Sequence, residues 1–378
     1  MPSTELRKQL MSHVRNLVVK VGTALLTGDD GKLDRPLIDR LARQLAALHA
    51  RGTRVTLVTS GAVGAGIGLA GLPGRPRQLP LVQATAAIGQ PALMSLYART
   101  LARFNLHAGQ VLVTRADFEE RNRYVNICNT IEALQRLNAI PIINENDTVA
   151  VDELDRFADN DTIAALLTNL LRADLLVLLT VVDGLLDTEG QLVDLVTHIG
   201  DVQGMVRIER SKLGSGGMMS KVGATRFVTD AGVPAVVANG RMPNVLARIL
   251  EGERVGTIFA PAPRKMPGRR RWIMSAARPN GAIRVDAGAA RALVGNGKSL
   301  LPSGIVEVTG DFARGDVVRV LGPENHSLGQ GIVNYSRGEL DRIKGLKTGQ
   351  IAAALGSKPY DEAIHRDNLV ITASAPQR

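Results

Sequence analysis

The sequence predicts an α/β protein of two domains: a three-layer αβα sandwich around a mainly parallel sheet, followed by a small β barrel. The chain has 378 residues, which is too long for one ordinary domain and suits two. Short apolar segments alternate with helical patterns between Asn16 and Ala262, as in sheets built from strand–helix–strand crossovers. Beyond Asn280 the apolar segments are short and separated by glycine turns, which is typical of a small barrel.

Several segments of the first domain are predicted strands because they are short and apolar on both faces, as strands between two helical layers are. They are Leu17–Val21, Arg54–Thr59, Gln110–Thr114, Ile140–Asn144, Leu175–Thr180 and Ala235–Ala238. A helix is predicted from Pro36 to Ala50, where leucines recur on one face, Asp34 caps the start and Gly52 closes the end. In such sheets ligands bind beyond the carboxyl ends of the strands.

The domain boundary is predicted from three prolines, Pro261, Pro263 and Pro267, within a stretch rich in arginine and lysine. The predicted organisation is a first domain over 12–262, a linker over 263–279, a β domain over 280–356 and a disordered tail over 366–378. The strand candidates of the β domain are Ile283–Val285, Gly304–Val308, Asp316–Val320 and Gly331–Asn334. The linker charges fit a solvated connector or, alternatively, a patch that faces phosphates.

The composition limits the classes of function. A formal net charge of +10 would attract nucleic acid, anionic lipid or phosphorylated substrates, but aromatic residues make up only 3%, which argues against a base-stacking surface. Cys128 is the single cysteine, so we expect no disulfide, no thiol-rich metal site and a reducing, cytoplasmic location. No apolar run approaches the roughly 20 residues that a bilayer-spanning helix needs, so no membrane partner is expected.

Two glycine-containing turns follow predicted strands and offer backbone N–H groups to an anion. Lys20 and Gly22 end the first strand, where the lysine faces the ligand crevice and the glycine allows phosphate to approach. Ser60 and Gly61 follow the second strand and open a helix, whose N-terminal dipole favours an anion. Taken alone, a lysine at a strand end is usually just solvated, and the turn at Ser60 is also compatible with a tight strand–helix connection that needs glycines for packing.

Two nucleotide-binding motifs are matched only in part. Residues 66–71 fit the dinucleotide fingerprint GxGxxG, but Gly66 lies several residues beyond the strand and no acidic residue occurs between Thr85 and Tyr97. We therefore discount this match and, with it, a nicotinamide enzyme. Residues 295–299 (GNGKS) resemble the end of a P-loop, but Ala292 stands where its first glycine belongs and no helix is predicted to follow. We interpret this run as a turn.

Polar segments and a third glycine loop complete the candidate site. Residues 144–147 (NEND) end the fourth strand, and residues 159–161 (DND) begin a predicted helix over Thr162–Leu171. One of the latter serves as an N-cap, and the carboxylates could hold Mg²⁺ or an ammonium group. Residues 213–221 form a glycine loop that leads into a helix with Lys221, as phosphoryl transfer requires, although a mobile surface loop is the alternative. Together the segments indicate a nucleotide site without a P-loop.

These segments resemble the amino-acid kinase family, and within it the members that phosphorylate the side-chain carboxylate of L-glutamate. The resembling residues are 18–23, 58–62, 114–117, 143–147, 159–161 and 216–218, while 300–305 and 310–316 are similar to a PUA domain. The resemblance implies ATP and Mg²⁺ as cofactors and γ-glutamyl phosphate, the first intermediate of proline synthesis, as product. It also implies feedback inhibition by proline and a homo-oligomer, either a dimer or a tetramer.

The resemblance also implies roles for individual residues. Lys20 and Lys221 would neutralise the transferring phosphoryl group, and Asp161 would position both lysines and hold Mg²⁺. Glutamate would be bound by Ser60, Asp147 and Asn160. Contacts to ATP are implied for Lys20, Gly22, Gly61, Thr180, Val181, Ser215, Gly216, Gly217, Met218, Met219, Ser220 and Lys221, with Gly22 and Gly61 offering N–H groups to phosphate.

Four positions depart from the family pattern. Val181 stands where an aspartate is common, which leaves one ATP contact to the backbone or removes it. Ala158 replaces a glycine and Ser215 replaces a threonine with retention of the hydroxyl. Met219 replaces a small polar residue beside the phosphates, and nothing in the sequence explains it.

Two alternatives stay open. One is the same fold with another acceptor, namely N-acetylglutamate, aspartate, carbamate or UMP. The other is an RNA-binding protein that acts through the PUA domain, which the scarcity of aromatic residues disfavours. Asp147 and Asn160 favour a free amino acid, because a carboxylate can bind its α-ammonium group.

Overall fold

The structure, a computed structural model, describes residues 3–28, 33–150, 160–197, 202, 217–262, 270, 273 and 279–372. The chain divides into two compact units, Met1–Lys265 and Met266–Arg378, each of which is described by itself. The division falls within the predicted linker, most of which lies outside the described residues. No helix in the described ranges is both long and apolar enough to cross a membrane.

The first unit is built on a sheet of eight strands in the order β3-β4-β2-β1-β5-β7-β8-β6. The strands are β1 (Asn16–Val21), β2 (Arg54–Val58), β3 (His107–Val113), β4 (Ala139–Glu145), β5 (Leu175–Thr180), β6 (Leu195–Val196), β7 (Ala235–Asn239) and β8 (Thr257–Phe259). All neighbours are parallel except β7 and β8. The predicted mainly parallel sheet is confirmed. Strands β6 and β8 were not predicted, since runs so short carry no readable alternation.

The helices of the first unit connect these strands. They are α1 (Ser3–Met11), α2 (Thr23–Leu26), α3 (Arg35–Ala50), α4 (Ala62–Ala70), α5 (Leu79–Ala102), α6 (Arg115–Glu119), α7 (Arg121–Arg136), α8 (Asn160–Leu170), α9 (Met218–Asp230) and α10 (Val245–Leu250). Helix α3 begins as predicted, because the Asp34 side chain accepts a hydrogen bond from the backbone N–H of Leu37. Its buried leucines each stabilise the fold by about 1.5–3 kcal/mol.

Side chains of the central strand β1 point alternately to the two faces of the sheet. Leu17, Val19 and Val21 belong to a buried apolar cluster that includes residues of α3 and α5. Lys20 points to the opposite face, where it contacts Asp161 of α8. The sheet therefore has helices on both sides, which is the predicted three-layer sandwich.

An arginine near the start of the chain fastens α1 to the far edge of the sheet. Arg7 is 2% exposed, and its guanidinium donates to the backbone oxygens of Asp194, Val255 and Gly256 at 2.8, 3.1 and 2.8 Å. It also pairs with the Asp194 carboxylate at 2.7 Å. Burial lowers the pKa of Arg7, and the attraction of Asp194 opposes that effect.

We expect Arg7→Ala to lower the free energy of unfolding by about 3–5 kcal/mol, because the change leaves buried acceptors without a donor. Urea-induced unfolding followed by circular dichroism measures the loss. Arg51→Ala is the matched control, since its 65% exposed side chain lies 3.8 Å from Glu251 and such surface pairs contribute about 1 kcal/mol or less. Equal losses of unfolding free energy in the two variants would show that the buried hydrogen bonds of Arg7 stabilise the fold no more than a surface ion pair does.

The second unit contains a five-stranded sheet in the order β10-β9-β11-β12-β13. The strands are β9 (Gly281–Val285), β10 (Ile305–Gly310), β11 (Val317–Leu321), β12 (Ser327–Ile332) and β13 (Leu369–Ile371). Between residues 279 and 372 three α-helices accompany them: α11 (Ala287–Asn296), α12 (Arg337–Ile343) and α13 (Ile351–Leu355). The predicted strands correspond to β9 through β12, although the prediction for β12 was placed too late in the chain.

Two details predicted for this unit are wrong. The GNGKS run was interpreted only as a turn, and no helix follows it directly, but the helix that it ends, α11, was not predicted; Asp286 caps this helix and Gly297 ends it at a φ of 56°. The alanine-rich helical pattern was overlooked among the strand signals. The predicted tail also starts too early, because Leu369 and Val370 are buried and β13 pairs with β12. Residues 373–378 lie outside the described residues.

Candidate active site

The carboxyl ends of β1, β2, β4 and β5 meet at one edge of the sheet because these strands run parallel. Lys20 in β1 stands in register with Val58 of β2 and Leu178 of β5. The polar residues that follow each strand, Ser60 among them, therefore share this edge. It is the place where ligands bind in open parallel sheets.

At this edge one buried carboxylate joins two lysines from distant parts of the chain. Asp161 lies in the first turn of α8 and is 0% exposed. Its Oδ1 lies 2.5 Å from Lys20 Nζ, and its Oδ2 lies 3.1 Å from Lys221 Nζ. Ser220 Oγ donates to the same Oδ2 at 3.2 Å. The three residues predicted to be catalytic are thus in direct contact.

The charges of this cluster do not cancel. Burial acts to raise the pKa of Asp161, but the attraction of Lys20 and Lys221 outweighs it, and the pKa lies below its ordinary value. The carboxylate is therefore ionised at neutral pH. Counted over these three described residues, two ammonium groups and one carboxylate give a net charge of +1, and both lysines are 5% exposed. Such a site favours an anionic ligand.

The glycine turns differ in what they can offer to a phosphate. Gly61 has a φ of 99°, a conformation that glycine adopts without strain, and it precedes the first turn of α4. The helix start directs backbone N–H groups toward the strand edge. The N–H of Gly22 donates to the backbone oxygen of Leu179 at 3.3 Å. Of the two glycines, Gly61 is therefore the better candidate for a phosphate-facing N–H group.

The GxGxxG match has a packing explanation. Gly66 lies inside α4, where a Cβ atom would stand 1.8 Å from the backbone oxygen of Thr85 in α5. A Cβ at Gly89 of α5 would stand 1.9 Å from the backbone oxygen of Ala62. Both glycines are needed for the close approach of α4 and α5. Because α4 begins directly after Ser60 and Gly61, this packing also fixes the position of the turn at Ser60.

A chain of side-chain amides leads from α5 to Ser60. Asn160 Nδ2 donates to Ser60 Oγ at 3.1 Å and to Asn144 Oδ1 at 3.2 Å. Asn144 Nδ2 in turn donates to Gln90 Oε1 at 2.8 Å. Asn144 and Gln90 are 1% and 9% exposed. Two of the three residues predicted to bind substrate, Ser60 and Asn160, are therefore in contact with each other.

The remaining predicted residues lie around this edge or outside the described part of the chain. Asp147 is half-buried in the turn after β4, and Thr180 ends β5 in register with Asn239. Val181 is 43% exposed, so its apolar side chain offers no polar contact in the aspartate's place.

The third glycine loop is described only at its end. Gly217 caps α9, which begins at Met218, and Met219 is 60% exposed. The other predicted residues of the loop, Ser215 and Gly216, lie outside the described residues, as do Ala158 and Asp159.

Gln90 and Tyr97 were not singled out from the sequence, although both lie next to the site. Tyr97 is fully buried with its hydroxyl 3.1 Å from Thr59 Oγ1, and burial raises its pKa to about 12 despite that hydrogen bond. A signal did exist, because α5 carries no charged residue between Leu79 and Ala98. A buried amide or hydroxyl in so apolar a helix needs a specific partner.

The family-model matches identify the class of protein. The amino acid kinase family matches residues 15–239, and the PUA domain matches residues 281–355. The chain therefore belongs to the amino acid kinase family and carries a PUA domain.

Relatives narrow the class further. Glutamate 5-kinase of Moorella thermoacetica is 45% identical over 368 residues, which are 96% of this chain and 97% of that protein. The enzyme of Caldanaerobacter subterraneus is 45% identical over 364 residues, with coverages of 94% and 97%. That of Citrifermentans bemidjiense is 43% identical over 373 residues, with coverages of 97% and 100%. Within its family the chain thus belongs with the glutamate 5-kinases, as the resemblance predicted.

Proposed function

We propose that this kinase transfers the terminal phosphoryl group of ATP to the γ-carboxylate of L-glutamate and releases γ-glutamyl phosphate. The observation that carries the proposal is the buried contact of Asp161 with Lys20 and Lys221. Asn160 precedes Asp161 directly, so the contact to Ser60 and the contacts to the lysines are made from one helical turn. The relatives named glutamate 5-kinase, which match almost the full chain, support the choice of substrate.

The cluster suits a reaction in which the nucleophile is already an anion. A carboxylate attacks phosphorus without a general base, so the protein has to align two substrates and compensate their negative charge. Lys20 and Lys221 would bind oxygens of the transferring phosphoryl group and of the leaving diphosphate. Asp161 keeps both ammonium groups in place and prevents their repulsion from separating them.

The remaining site residues divide between the two substrates. Glutamate would be held by Ser60, Asp147 and Asn160. ATP would lie along the edge formed by Gly61, Thr180, Val181 and the start of α9 from Gly217 to Lys221.

Mg²⁺ would enter with ATP and neutralise charge on its phosphates. This ion commonly uses one or two carboxylates and completes its shell with phosphate oxygens and water. Within the described ranges no group of three or more histidine, cysteine or acidic side chains could hold a metal ion. Both oxygens of Asp161 face ammonium groups. We therefore assign this carboxylate primarily to orienting the two lysines and only secondarily to binding Mg²⁺.

The proposal is tested by trapping the acyl phosphate. Incubation of the protein with ATP, Mg²⁺, L-glutamate and hydroxylamine should yield glutamyl hydroxamate, and omission of glutamate or ATP should abolish it. N-acetylglutamate, aspartate and UMP are compared as acceptors by release of ADP. Turnover with one of these and none with glutamate would replace the proposed substrate.

Inhibition by proline, assembly into a dimer or tetramer, and a cytoplasmic location complete the proposal. The family resemblance supports the inhibition and the assembly, and the single cysteine supports the location.

A further inference from the structure

One backbone N–H group fixes the orientation of three side-chain amides beside the candidate glutamate site. The N–H of Glu145 donates to Asn144 Oδ1 at 2.9 Å, and because a backbone N–H can only donate, this atom of Asn144 must be the oxygen. Asn144 therefore turns its amino group to Gln90 Oε1, at 2.8 Å. The same Asn144 oxygen faces Asn160 at 3.2 Å, so the amino group of Asn160 must point toward it.

This order of amides leaves two groups of defined polarity at the site. Asn160 Oδ1 is buried and has no hydrogen-bond partner among the residues described. Ser60 Oγ accepts from Asn160, so its own proton is available for donation to another group. An acceptor without a partner is unfavourable in a buried position and favours a ligand that brings a donor.

The head group of an α-amino acid matches this pair. Its ammonium group donates, its carboxylate accepts, and both are attached to the same carbon. At neutral pH the ammonium group is the only donor that L-glutamate carries. Asn160 Oδ1 and the Ser60 hydroxyl, which belong to side chains joined by a 3.1 Å hydrogen bond, offer the complementary acceptor and donor.

This orientation of the three amides leaves one buried donor of Gln90 unsatisfied among the described residues. Its Nε2 is buried without a hydrogen-bond partner in the described part of the chain. The amino group of Gln90 gains nothing from this arrangement, so the Glu145 N–H selects the orientation of Asn144, and Gln90 Oε1 holds the Asn144 side chain in that orientation by accepting from Nδ2.

We propose that Gln90 and Asn144 are positioning residues that hold the Asn160 carbonyl oxygen toward the substrate ammonium group, and so select acceptors with a free α-amino group. The inference rests on the proposed function, because it takes glutamate as the ligand of this site. Neither residue touches the substrate, and both act through Asn160.

The test compares L-glutamate with glutarate, which has both carboxylates but no ammonium group. The quantity measured is the KM for L-glutamate relative to the inhibition constant of glutarate. Gln90→Leu removes the acceptor of Asn144 and should reduce the preference for L-glutamate on the order of 10-fold, a size expected for a hydrogen bond to a charged group. The loss should appear in the KM for glutamate, with the KM for ATP and the glutarate constant unchanged.

Two variants serve as comparisons. Gln90→Glu keeps an oxygen opposite Asn144 Nδ2 and should retain most of the preference. Gln135→Leu makes the same chemical change in a part-buried amide that donates to Thr56 Oγ1 at 3.3 Å, and it should leave the preference unchanged. If Gln90→Leu weakened the binding of L-glutamate and of glutarate equally, Gln90 would have a merely structural role and the proposal would be overturned.

A second pair of changes covers the case in which Gln90→Leu does not fold. Asn144→Asp keeps acceptors for Glu145 and Asn160, and Gln90 can turn its unused amino group to the new carboxylate. Addition of Gln90→Glu then places two acidic groups face to face, so the double variant should lose more preference than the two single losses combined. Simple additivity of the two single losses overturns the proposal.

The wild-type protein separates failure of this proposal from failure of the proposed function. If it makes no hydroxamate, the proposed function is wrong. If it makes hydroxamate but binds L-glutamate and glutarate equally well, only the positioning role of Gln90 and Asn144 is wrong.

Discussion

Asp161→Asn is expected to abolish measurable turnover and to lower the free energy of unfolding by about 3–5 kcal/mol. The change removes the anion from between two ammonium groups whose side chains are almost fully buried. The asparagine oxygen can accept from Lys20 or from Lys221, but its amino group would face the other lysine. Repulsion between the two cations would then displace at least one from the phosphate position. Urea-induced unfolding and the hydroxamate assay measure the two effects on the same preparation.

The same variant should change how stability depends on pH. The folded pKa of Asp161 lies below its ordinary value, so the carboxylate stabilises the fold above the unfolded pKa of about 3.9, and this contribution is lost as pH falls through the folded pKa. The difference in unfolding free energy between wild type and Asp161→Asn should therefore be constant near neutrality and shrink in acid below about pH 4. Parallel stability curves for the two proteins across that range would be incompatible with a buried, ionised Asp161.

Asp39→Asn is the control for this variant. Asp39 also has a lowered pKa, since its hydrogen bonds and ion pairs with Arg43, Thr100 and Arg103 outweigh the opposing effect of burial. Its ion-pair partners are exposed arginines and asparagine keeps an oxygen that can accept from Thr100, so the loss should be about 1 kcal/mol or less. Turnover should remain, because Asp39 lies in α3 and contacts none of the site residues named above.

Lys221→Met is expected to reduce kcat about 1,000-fold, equivalent to about 4 kcal/mol of transition-state stabilisation, while the KM for glutamate changes less than about threefold. Methionine preserves most of the buried stem and removes the charge that would bind the transferring phosphoryl group. Lys20 still pairs with Asp161, so the fold should lose much less stability than in Asp161→Asn. Steady-state rates with ATP and glutamate varied separately give both constants.

Arg226→Met is the matched control in the same helix. Its side chain is 58% exposed and pairs only weakly with Asp230, at 3.7 Å, so both constants should remain near those of the wild type. If Lys221→Met raised the KM for glutamate as much as it lowered kcat, Lys221 would be a substrate-binding residue and not a stabiliser of the transition state.

The strands near the site could be predicted because their sequences are apolar on both faces, as in Leu175–Thr180. Strands β6 and β8 could not, since two or three residues give no pattern and their pairing is set by neighbours in the sheet. Helix α11 was missed for a related reason, because its alanines and glycines lie between clear strand signals. Tertiary packing decides such short segments.

In the candidate site, too, some residues could be predicted from the sequence and others could not. Lys20, Asp161 and Lys221 carry charges that a sequence reader notices at strand and helix ends. Gln90 lies in a helix between apolar residues, and its relevance depends on Asn144 standing opposite, 54 positions later in the chain. A hydrogen bond across that separation leaves no local signature. The orientation of the Asn144 amide is even harder to predict from the sequence, because it is set by the backbone N–H of Glu145 in the folded chain.

The position of Arg7 also determines when the chain can complete its fold during synthesis. Its guanidinium binds the backbone oxygen of Gly256, 249 positions later, and the central strand β1 pairs with β5, which starts at residue 175. At translation rates of 5–20 residues per second, helix α1 leaves the ribosome roughly 10–50 s before its binding site exists. Throughout that interval helix α1 lacks part of its binding site, whereas strand β1 gains its neighbour β2 early and waits only until residue 175 for β5. Such long-range pairing folds slowly, so helix α1 stays exposed to non-native contacts until residue 256 has been synthesised.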